Sequence, residues 1–230
     1  MMRKKFLMRV FSLLLFLIVG NLYSQDINTA SDLFKKLSAA YEEIQDYTAK
    51  ISILQNKESM AGNLSYKAPY FFRIDFTDPP RQVFVSDGKL LQIYLPRYSV
   101  TFNQQLRKPD DASPVGLATG QGLKLLKNSY SIGYLNGPEQ EPLEEGSSEM
   151  VYKLKLNSSG ELYRSMEMSI QVRDERYYIR RIIGNTVSSN TIQLDFQDIK
   201  TNQEIPLSKF QFDSPPSANT VRNFLFEPEG

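Results

Sequence analysis

Few side chains in this 230-residue sequence could perform covalent chemistry. The chain contains no Cys and no His, which excludes thiolate catalysis, iron–sulfur clusters, the usual serine-type triad and most zinc or haem sites. A carboxylate pair such as Asp195 and Asp198 could support glycoside hydrolysis, which needs two carboxyl groups several ångströms apart. With 26 acidic residues in the chain, however, such pairs arise by chance. We therefore expect no enzyme, no metal site and no cofactor.

Three closely spaced glycines, Gly116, Gly120 and Gly122, do not have the pattern of a nucleotide site. They follow no parallel strand and lack the spacing of the dinucleotide fingerprint or the phosphate loop. Ser113-Pro114 supplies a cap and a first-turn proline, so we predict two short helices joined by a glycine-bearing hinge between Pro109 and Asn128. An irregular loop is the alternative, because each glycine costs about 1 kcal/mol in a helix. The residues expected to form this movable lid are Leu117, Gly120, Gly122, Leu123 and Leu126.

The first 24 residues have the pattern of a secretory signal peptide. Four basic residues and no acid precede the apolar run Val10–Val19, and a short polar segment follows. A run of ten is too short to span a bilayer, which takes about 20 apolar residues. We expect cleavage near Ser24. Of the 27 basic residues 23 would then remain against 26 acidic ones, a balance that argues against a nucleic-acid partner.

The rest of the chain, 25–230, is expected to form one domain that begins with a helix and continues as strands. Apolar residues recur at helical spacing between Asp26 and Tyr47. The period then changes to two, which is typical of half-buried antiparallel strands, and turn signals such as Asp87-Gly88 separate the strands. We predict eleven strands, near residues 47–55, 60–67, 70–77, 81–86, 89–95, 97–103, 129–135, 149–156, 164–172, 176–183 and 190–198.

A sheet of about eleven strands is wider than its own side chains can fill. The opening helix and the lid are the two segments that could cover it, so we predict an α+β fold in which an open antiparallel half-barrel lies under helices. The space beneath them would be apolar and suited to acyl chains, since each buried methylene contributes about 0.8 kcal/mol. An ordinary packed core is the alternative. The predicted lining residues are Phe72, Ile74, Phe76, Val83, Val85, Leu91, Ile93, Met150, Tyr152, Met166, Met168, Ile192 and Leu194.

Several motifs in the segment Ser65–Leu106 resemble one known family. They are Tyr66-Lys67-Ala68-Pro69, Phe72-Arg73-Ile74, Val85-Ser86-Asp87-Gly88-Lys89 and Tyr94-Leu95-Pro96, with Phe210-Gln211-Phe212 and Pro215-Pro216 near the end. In this order they resemble the LolA family of periplasmic outer-membrane lipoprotein carriers. The resemblance implies a monomeric periplasmic protein with a helical lid over an incomplete barrel. It further implies that acyl chains of lipoproteins arrive from an inner-membrane lipoprotein-releasing transporter and pass to an outer-membrane acceptor, without covalent chemistry.

One position departs from the family pattern. Better-studied carriers have an arginine immediately before the proline of the first motif, linked to lid closure, and this chain has Ala68 there. We expect Lys67 and Arg73 to act at the rim of the cavity instead, although a flexible ammonium does not replace a planar guanidinium. Arg180 and Arg181 could approach an anionic headgroup or lie on the outer face of the sheet. Two other functions stay open: a carrier of another envelope lipid, and a lipid-sensing regulatory domain of the same fold.

Overall fold

The computed structural model describes residues 29–107, 114–158 and 163–225. The signal peptide over 1–24 and its cleavage near Ser24 lie outside the described residues. Within these ranges the α-helices are α1 (Ala30–Glu42) and α2 (Gly120–Ser129), and the 3₁₀ helices are η1 (Pro96–Tyr98), η2 (Pro114–Ala118) and η3 (Leu207–Phe210). The strands are β1 (Asp46–Gln55), β2 (Glu58–Lys67), β3 (Phe71–Asp78), β4 (Val83–Ser86), β5 (Leu90–Leu95), β6 (Val100–Gln105), β7 (Ser131–Tyr134), β8 (Glu141–Pro142), β9 (Met150–Asn157), β10 (Tyr163–Arg173), β11 (Arg176–Thr186), β12 (Thr191–Thr201) and β13 (Asn219–Arg222).

These strands form one open sheet in the order β13-β6-β5-β4-β3-β2-β1-β12-β11-β10-β9-β7, and β8 pairs with β9. Neighbours are antiparallel except β13, which runs parallel to β6. The α+β fold and its eleven predicted strands are confirmed, but the sheet is mixed rather than purely antiparallel. The structure adds β8, which is only two residues long, and β13, whose four residues are all exposed. Neither has the alternating burial from which strands are recognised in a sequence.

Helix α1 begins where the side chain of Thr29 accepts a hydrogen bond from the Asp32 backbone N–H, a standard N-cap. Its buried face, which includes Phe34 and Leu37, packs against α2 and against strands β7 and β11. Near its end, the Tyr41 hydroxyl accepts a hydrogen bond of 2.9 Å from the Ile179 N–H. The helix is therefore held to the sheet by apolar packing and by one buried hydrogen bond to a strand.

Two predicted short helices within the lid segment are confirmed as η2 and α2. Thr119 separates them and caps α2, since its Oγ1 accepts a hydrogen bond from the Gly122 N–H and donates one to the Gly116 carbonyl. The two helices cover the inner face of the sheet together with α1. The large apolar core lies between these helices and that face.

A C-terminal strap, residues 202–213, crosses the outer face of the sheet. Its first part is fixed by the buried carboxylate of Asp46, which accepts hydrogen bonds from the backbone N–H groups of Gln203 at 2.6 Å and Ile205 at 3.0 Å. Lys67 completes this contact, because its Nζ lies 3.4 Å from the Asp46 carboxylate and 2.8 Å from the Ile205 carbonyl oxygen. A charged residue at the start of β1 thus anchors a segment more than 150 positions later in the chain.

The second part of the strap is fixed to β3. Arg73 donates to the Gln211 carbonyl at 3.0 Å and to the Asp75 carboxylate at 2.9 Å, and the Lys209 ammonium lies 2.9 Å from the same carboxylate. The side chain of Phe210, which belongs to the strap, points toward the sheet and is buried in a second, smaller apolar cluster. The outer face of this part of the sheet is therefore covered, and both faces of β3 and β4 carry apolar residues.

The pairing of β2 with β3 is irregular beside Gly62 and brings the two backbones close enough to require glycine there. A Cβ atom there would lie 2.7 Å from the Asp75 carbonyl oxygen and 2.9 Å from the Phe76 Cα, both backbone atoms that cannot move independently of the sheet. We expect Gly62→Ala to lower the free energy of unfolding by about 2–3 kcal/mol, measured by urea denaturation. Gly133→Ala is the matched control, because a Cβ in β7 meets open space and should change stability by less than about 0.5 kcal/mol. Equal losses in both variants would contradict this explanation.

The strap should loosen in acid because Asp75 titrates. Burial raises the pKa of its carboxyl group, but hydrogen bonds from Lys209 and Arg73 outweigh burial and hold that pKa below the ordinary 3.8. A lowered folded-state pKa contributes stability above pH 3.8 that is lost as the pH falls through the folded-state value. We therefore expect Asp75→Asn to be less stable than the unsubstituted protein at about pH 7. This difference in stability should shrink below about pH 4, which is the ordinary pKa of an aspartate in an unfolded chain. This expectation would be contradicted if the difference in urea midpoint between the two proteins stayed constant down to about pH 2, roughly two units below that pKa.

Candidate functional site

Most of the predicted lining residues meet in one apolar core between the helices and the inner face of the sheet. Strand β3 contributes Phe72, Ile74 and Phe76, each at most 5% exposed, and β10 contributes Met166 and Met168, which are fully buried. Leu91 and Leu194 belong to the same core, and the half-buried Ile93, Tyr152 and Ile192 pack against it. The period-two pattern thus grouped these ten residues on one face. Whether they bind a ligand stays a prediction.

Val83 and Val85 lie on the opposite face, so their place in the predicted lining was wrong. In the register of β3 and β4, Val85 is opposite Arg73 and Val83 is opposite Asp75, and both valines belong to the cluster under the strap. Phe84, between them, packs against the main core instead. A shift of one residue exchanges the faces of a strand, and the run Val-Phe-Val is apolar on both faces because both are covered.

Met150 also lies outside the core. It is the first residue of β9 and is 43% exposed, although Leu154 and Leu156 of the same strand are fully buried. Its thioether is therefore not brought together with those of Met166 and Met168. The alternation in the sequence correctly gives the face of β9, but not the point along the strand at which burial begins.

Side chains of the helices and of the sheet meet beneath the lid, where a hollow was expected, and belong to one apolar cluster. Phe34 and Leu37 of α1, and Leu123 and Leu126 of α2, belong to the same apolar core as the sheet residues. Among the described residues, pockets of about 260, 440 and 850 Å³ lie on the outer face, beside the strap and at the strand ends. The helices and the inner face are thus the two sides of one apolar contact.

Buried tyrosines tie the lid to the sheet. The Tyr47 hydroxyl donates a hydrogen bond of 3.1 Å to the Ala118 carbonyl oxygen at the end of η2. Burial raises the pKa of Tyr47 well above its ordinary value, so the hydroxyl keeps its proton and remains a donor. Tyr66 lies beside it, and burial raises the pKa of Tyr66 to about 12 despite an opposing hydrogen bond with Thr119. These tyrosines were not among the predicted site residues, although Tyr47 starts an alternating run with Ala49, Ile51 and Ile53.

Gly120 and Gly122 are close-contact glycines in the first turn of α2 rather than a hinge between the two helices. A Cβ at Gly122 would collide with the Gly116 carbonyl oxygen, and one at Gly120 would lie 3.0 Å from the Tyr41 carbonyl oxygen. The junction of η2 and α2 is at Thr119 instead. Both glycines let α2 approach its neighbours closely, so alanine at either position would disturb packing whether or not the lid moves. Leu117 is half-buried against the core.

Lys67 and Arg73 do not lie at the rim of the core, and this part of the prediction was wrong. Both side chains point to the outer face and hold the strap, Lys67 through Asp46 and the Ile205 carbonyl, and Arg73 through the Gln211 carbonyl and Asp75. Their strand positions alternate with the core residues Tyr66 and Phe72, which explains the outward direction. Ala68 packs partly buried against the main core.

The remaining charged candidates are paired on the outer face. Asp195 accepts from Arg181 at 2.6 Å and from Arg180 at 2.9 Å, and Asp198 lies 2.8 Å from the Lys50 ammonium. A register shift in the pairing of β10 with β11, beside Arg180, brings these consecutive arginines to the same carboxylate. Both carboxylates are thus paired with basic side chains.

Across the described ranges, no group of three or more acidic residues is arranged to hold a metal ion. Nor do these ranges contain a helix with the length and apolar character needed to cross a bilayer.

Comparison with known proteins agrees with this architecture. A family model described as outer membrane lipoprotein carrier protein LolA matches residues 48–213. An outer-membrane lipoprotein carrier protein of Pseudomonas paraeruginosa is 24% identical over 197 residues, covering 82% of this chain and 86% of that protein. The carrier protein of the same name from Chromohalobacter salexigens is 25% identical over 194 residues, covering 82% of this chain and 86% of its own.

A solved structure shares the fold. The uncharacterized conserved protein from Thermus thermophilus aligns with a TM-score of 0.52 at 14% identity, covering 84% of this chain and 98% of that one. At this identity the likeness concerns the fold alone. The family model, in contrast, spans well over half of the sequence, and on that ground the chain belongs to the LolA family of outer membrane lipoprotein carrier proteins.

Proposed function

We propose that this protein is a periplasmic carrier that binds the acyl chains of lipoproteins and shuttles them from the inner to the outer membrane. The observation that carries the proposal is the apolar contact between two amphipathic helices and the inner face of an open sheet. Membership of the LolA family and the names of the curated relatives support lipoproteins as the cargo.

The contact can exchange one apolar partner for another. Aliphatic side chains such as Leu37 and Leu123 bury the inner face in the present state, and hydrophobic burial has no directional requirement. An acyl chain that takes their place regains about 0.8 kcal/mol for each methylene buried. Met166 and Met168 suit such exchange, because a flexible thioether adapts to partners of different shape.

Polar groups set how firmly the closed state competes with cargo. The hydrogen bond from Tyr47 to the Ala118 carbonyl joins the sheet to the lid, and a bond of this kind contributes about 1 kcal/mol net. Ala68, at the position where better-studied carriers have arginine, packs against the core and supplies no guanidinium. In this chain the tyrosine hydroxyls take the role of holding the lid shut.

Delivery then needs only a difference in affinity along the route. An inner-membrane lipoprotein-releasing transporter would load the carrier, and an outer-membrane acceptor that binds the acyl chains more tightly would unload it. Because the closed state re-forms when cargo leaves, closure of the helices offsets part of the cost of releasing hydrocarbon. No covalent step enters this scheme.

Weakening the closed state should strengthen binding. We expect Tyr47→Phe to lower the free energy of unfolding by about 1 kcal/mol and to raise the affinity for a triacylated lipopeptide by up to about fivefold, because the closed state competes with cargo. Urea denaturation measures the first quantity and isothermal titration calorimetry the second.

Tyr178→Phe is the matched control, because Tyr178 is a buried tyrosine stacked on Arg173 at the pocket of the outer face. Its affinity for the lipopeptide should equal that of the unsubstituted protein. A deacylated peptide of the same sequence should not bind to any of the three proteins. Lipopeptide affinity that falls in Tyr47→Phe would count against competition between lid and cargo, and absence of lipopeptide binding altogether would exclude the proposed function.

A further inference from the structure

A groove of about 850 Å³ lies at one end of the half-barrel, and the proposed carrier function does not use it. Its walls come from the start of β2, the turn between β3 and β4, and η1 at the end of β5. Its volume falls in the range of small-molecule sites, roughly 300–1,000 Å³. The groove is thus large enough for a single amphiphilic molecule.

One part of the groove is apolar. Met60 and Leu95 line it, and Tyr98 adds an aromatic ring that is 67% exposed. Met60 also packs against the main core. An exposed aromatic ring beside aliphatic side chains favours a ligand with hydrocarbon next to a polar group.

The described residues that line the groove carry a net positive charge, from two arginines against the one carboxylate of Glu58. Arg81 and Arg97 line it from two different turns, and both are exposed. Within the described part of the chain neither guanidinium forms an ion pair with a carboxylate, and Arg97 lies over the Tyr98 ring at 5.9 Å. Guanidinium groups bind phosphate oxygens through paired hydrogen bonds, so the pair favours an anionic phosphate group.

A third feature is a hydrogen-bond acceptor with no donor. Gln82 lines the same groove, and its Oε1 is buried without a hydrogen-bond partner among the described residues. Buried polar atoms of folded proteins normally have a partner. A ligand that carries a hydroxyl group close to its phosphate could supply this donor when the side chain turns toward the groove.

We propose that this groove binds one anionic phospholipid of the phosphatidylglycerol type. The phosphate pairs with Arg81 and Arg97, the headgroup hydroxyls lie near Gln82, and the glyceryl esters lie over Leu95 and Tyr98. The site is separate from the contact between helices and sheet. It gives the carrier a means of recognising the surface of the membranes that it is proposed to visit, and this last clause rests on the proposed function.

Calorimetric titration of the purified protein with dihexanoyl phosphatidylglycerol tests the proposal. We expect saturable binding of one molecule, weakened at least about tenfold in the double variant Arg81→Gln/Arg97→Gln, because two charge-assisted contacts are lost. Inorganic phosphate and dihexanoyl phosphatidylcholine should bind at least about tenfold more weakly than dihexanoyl phosphatidylglycerol, since the first lacks hydrocarbon and the second lacks net charge and a donor.

Arg176→Gln/Arg222→Gln is the matched control, because both arginines are exposed and lie outside the groove. This variant should bind like the unsubstituted protein. Unchanged affinity in the groove variant, equal loss in the control, or equal binding of inorganic phosphate would overturn the proposal. Lipopeptide titration of the groove variant distinguishes the two sites, because retained lipopeptide binding with lost phosphatidylglycerol binding assigns the effect to the groove alone.

Discussion

The structure depends on one constraint: the inner face of the sheet is apolar and cannot be completed by the sheet itself. Strands from both halves of the sheet direct aliphatic and aromatic side chains to this face, and the helices supply the other side of the contact. Without α1 and α2, residues such as Ile74 and Met168 would face water. The position of the helices is therefore a consequence of the sheet's width, and this contact is the place that we propose for hydrocarbon cargo.

The outer face is organised by different interactions. Asp46 and Asp75 fix the C-terminal strap through backbone N–H groups, Lys67, Arg73 and Lys209. At the other half of the sheet, Arg180 is shared between Glu149 and Asp195. These directional contacts bind specific partners at specific places, whereas apolar packing on the inner face does not. The molecule thus combines directional polar contacts on the outer face with non-directional apolar packing on the inner face.

The strands could be predicted well from the sequence because burial alternates along most of them, as in Phe72, Ile74 and Phe76. Prediction from the sequence failed where the alternation carries no information. Val83 and Val85 were placed on the wrong face because β4 is apolar on both sides, and β13 was missed because all of its residues are exposed. Lys67 and Arg73 were expected at the rim, since their partners on the strap are more than 130 residues away and no local pattern reveals them.

The candidate site was predictable in composition but not in state. Spacing and the family resemblance indicated which side chains share the inner face, and they indicated helices above it. They could not indicate how closely Phe34 and Leu123 approach the sheet, because the depth to which a helix settles on a sheet depends on close contacts between distant segments. Gly120, where a Cβ atom would lie 3.0 Å from the Tyr41 carbonyl oxygen of α1, marks such a contact.

The central claim, that helix side chains and acyl chains compete for the inner face, is tested most directly by a distance across the contact. The chain has no cysteine, so Leu125→Cys on the exposed side of α2 and Lys155→Cys on β9 would carry the only two spin labels. We expect electron–electron double resonance to record a longer and broader distance when triacylated lipopeptide is added, and no change with the deacylated peptide. An unchanged distance in a sample with bound lipopeptide would contradict this competition.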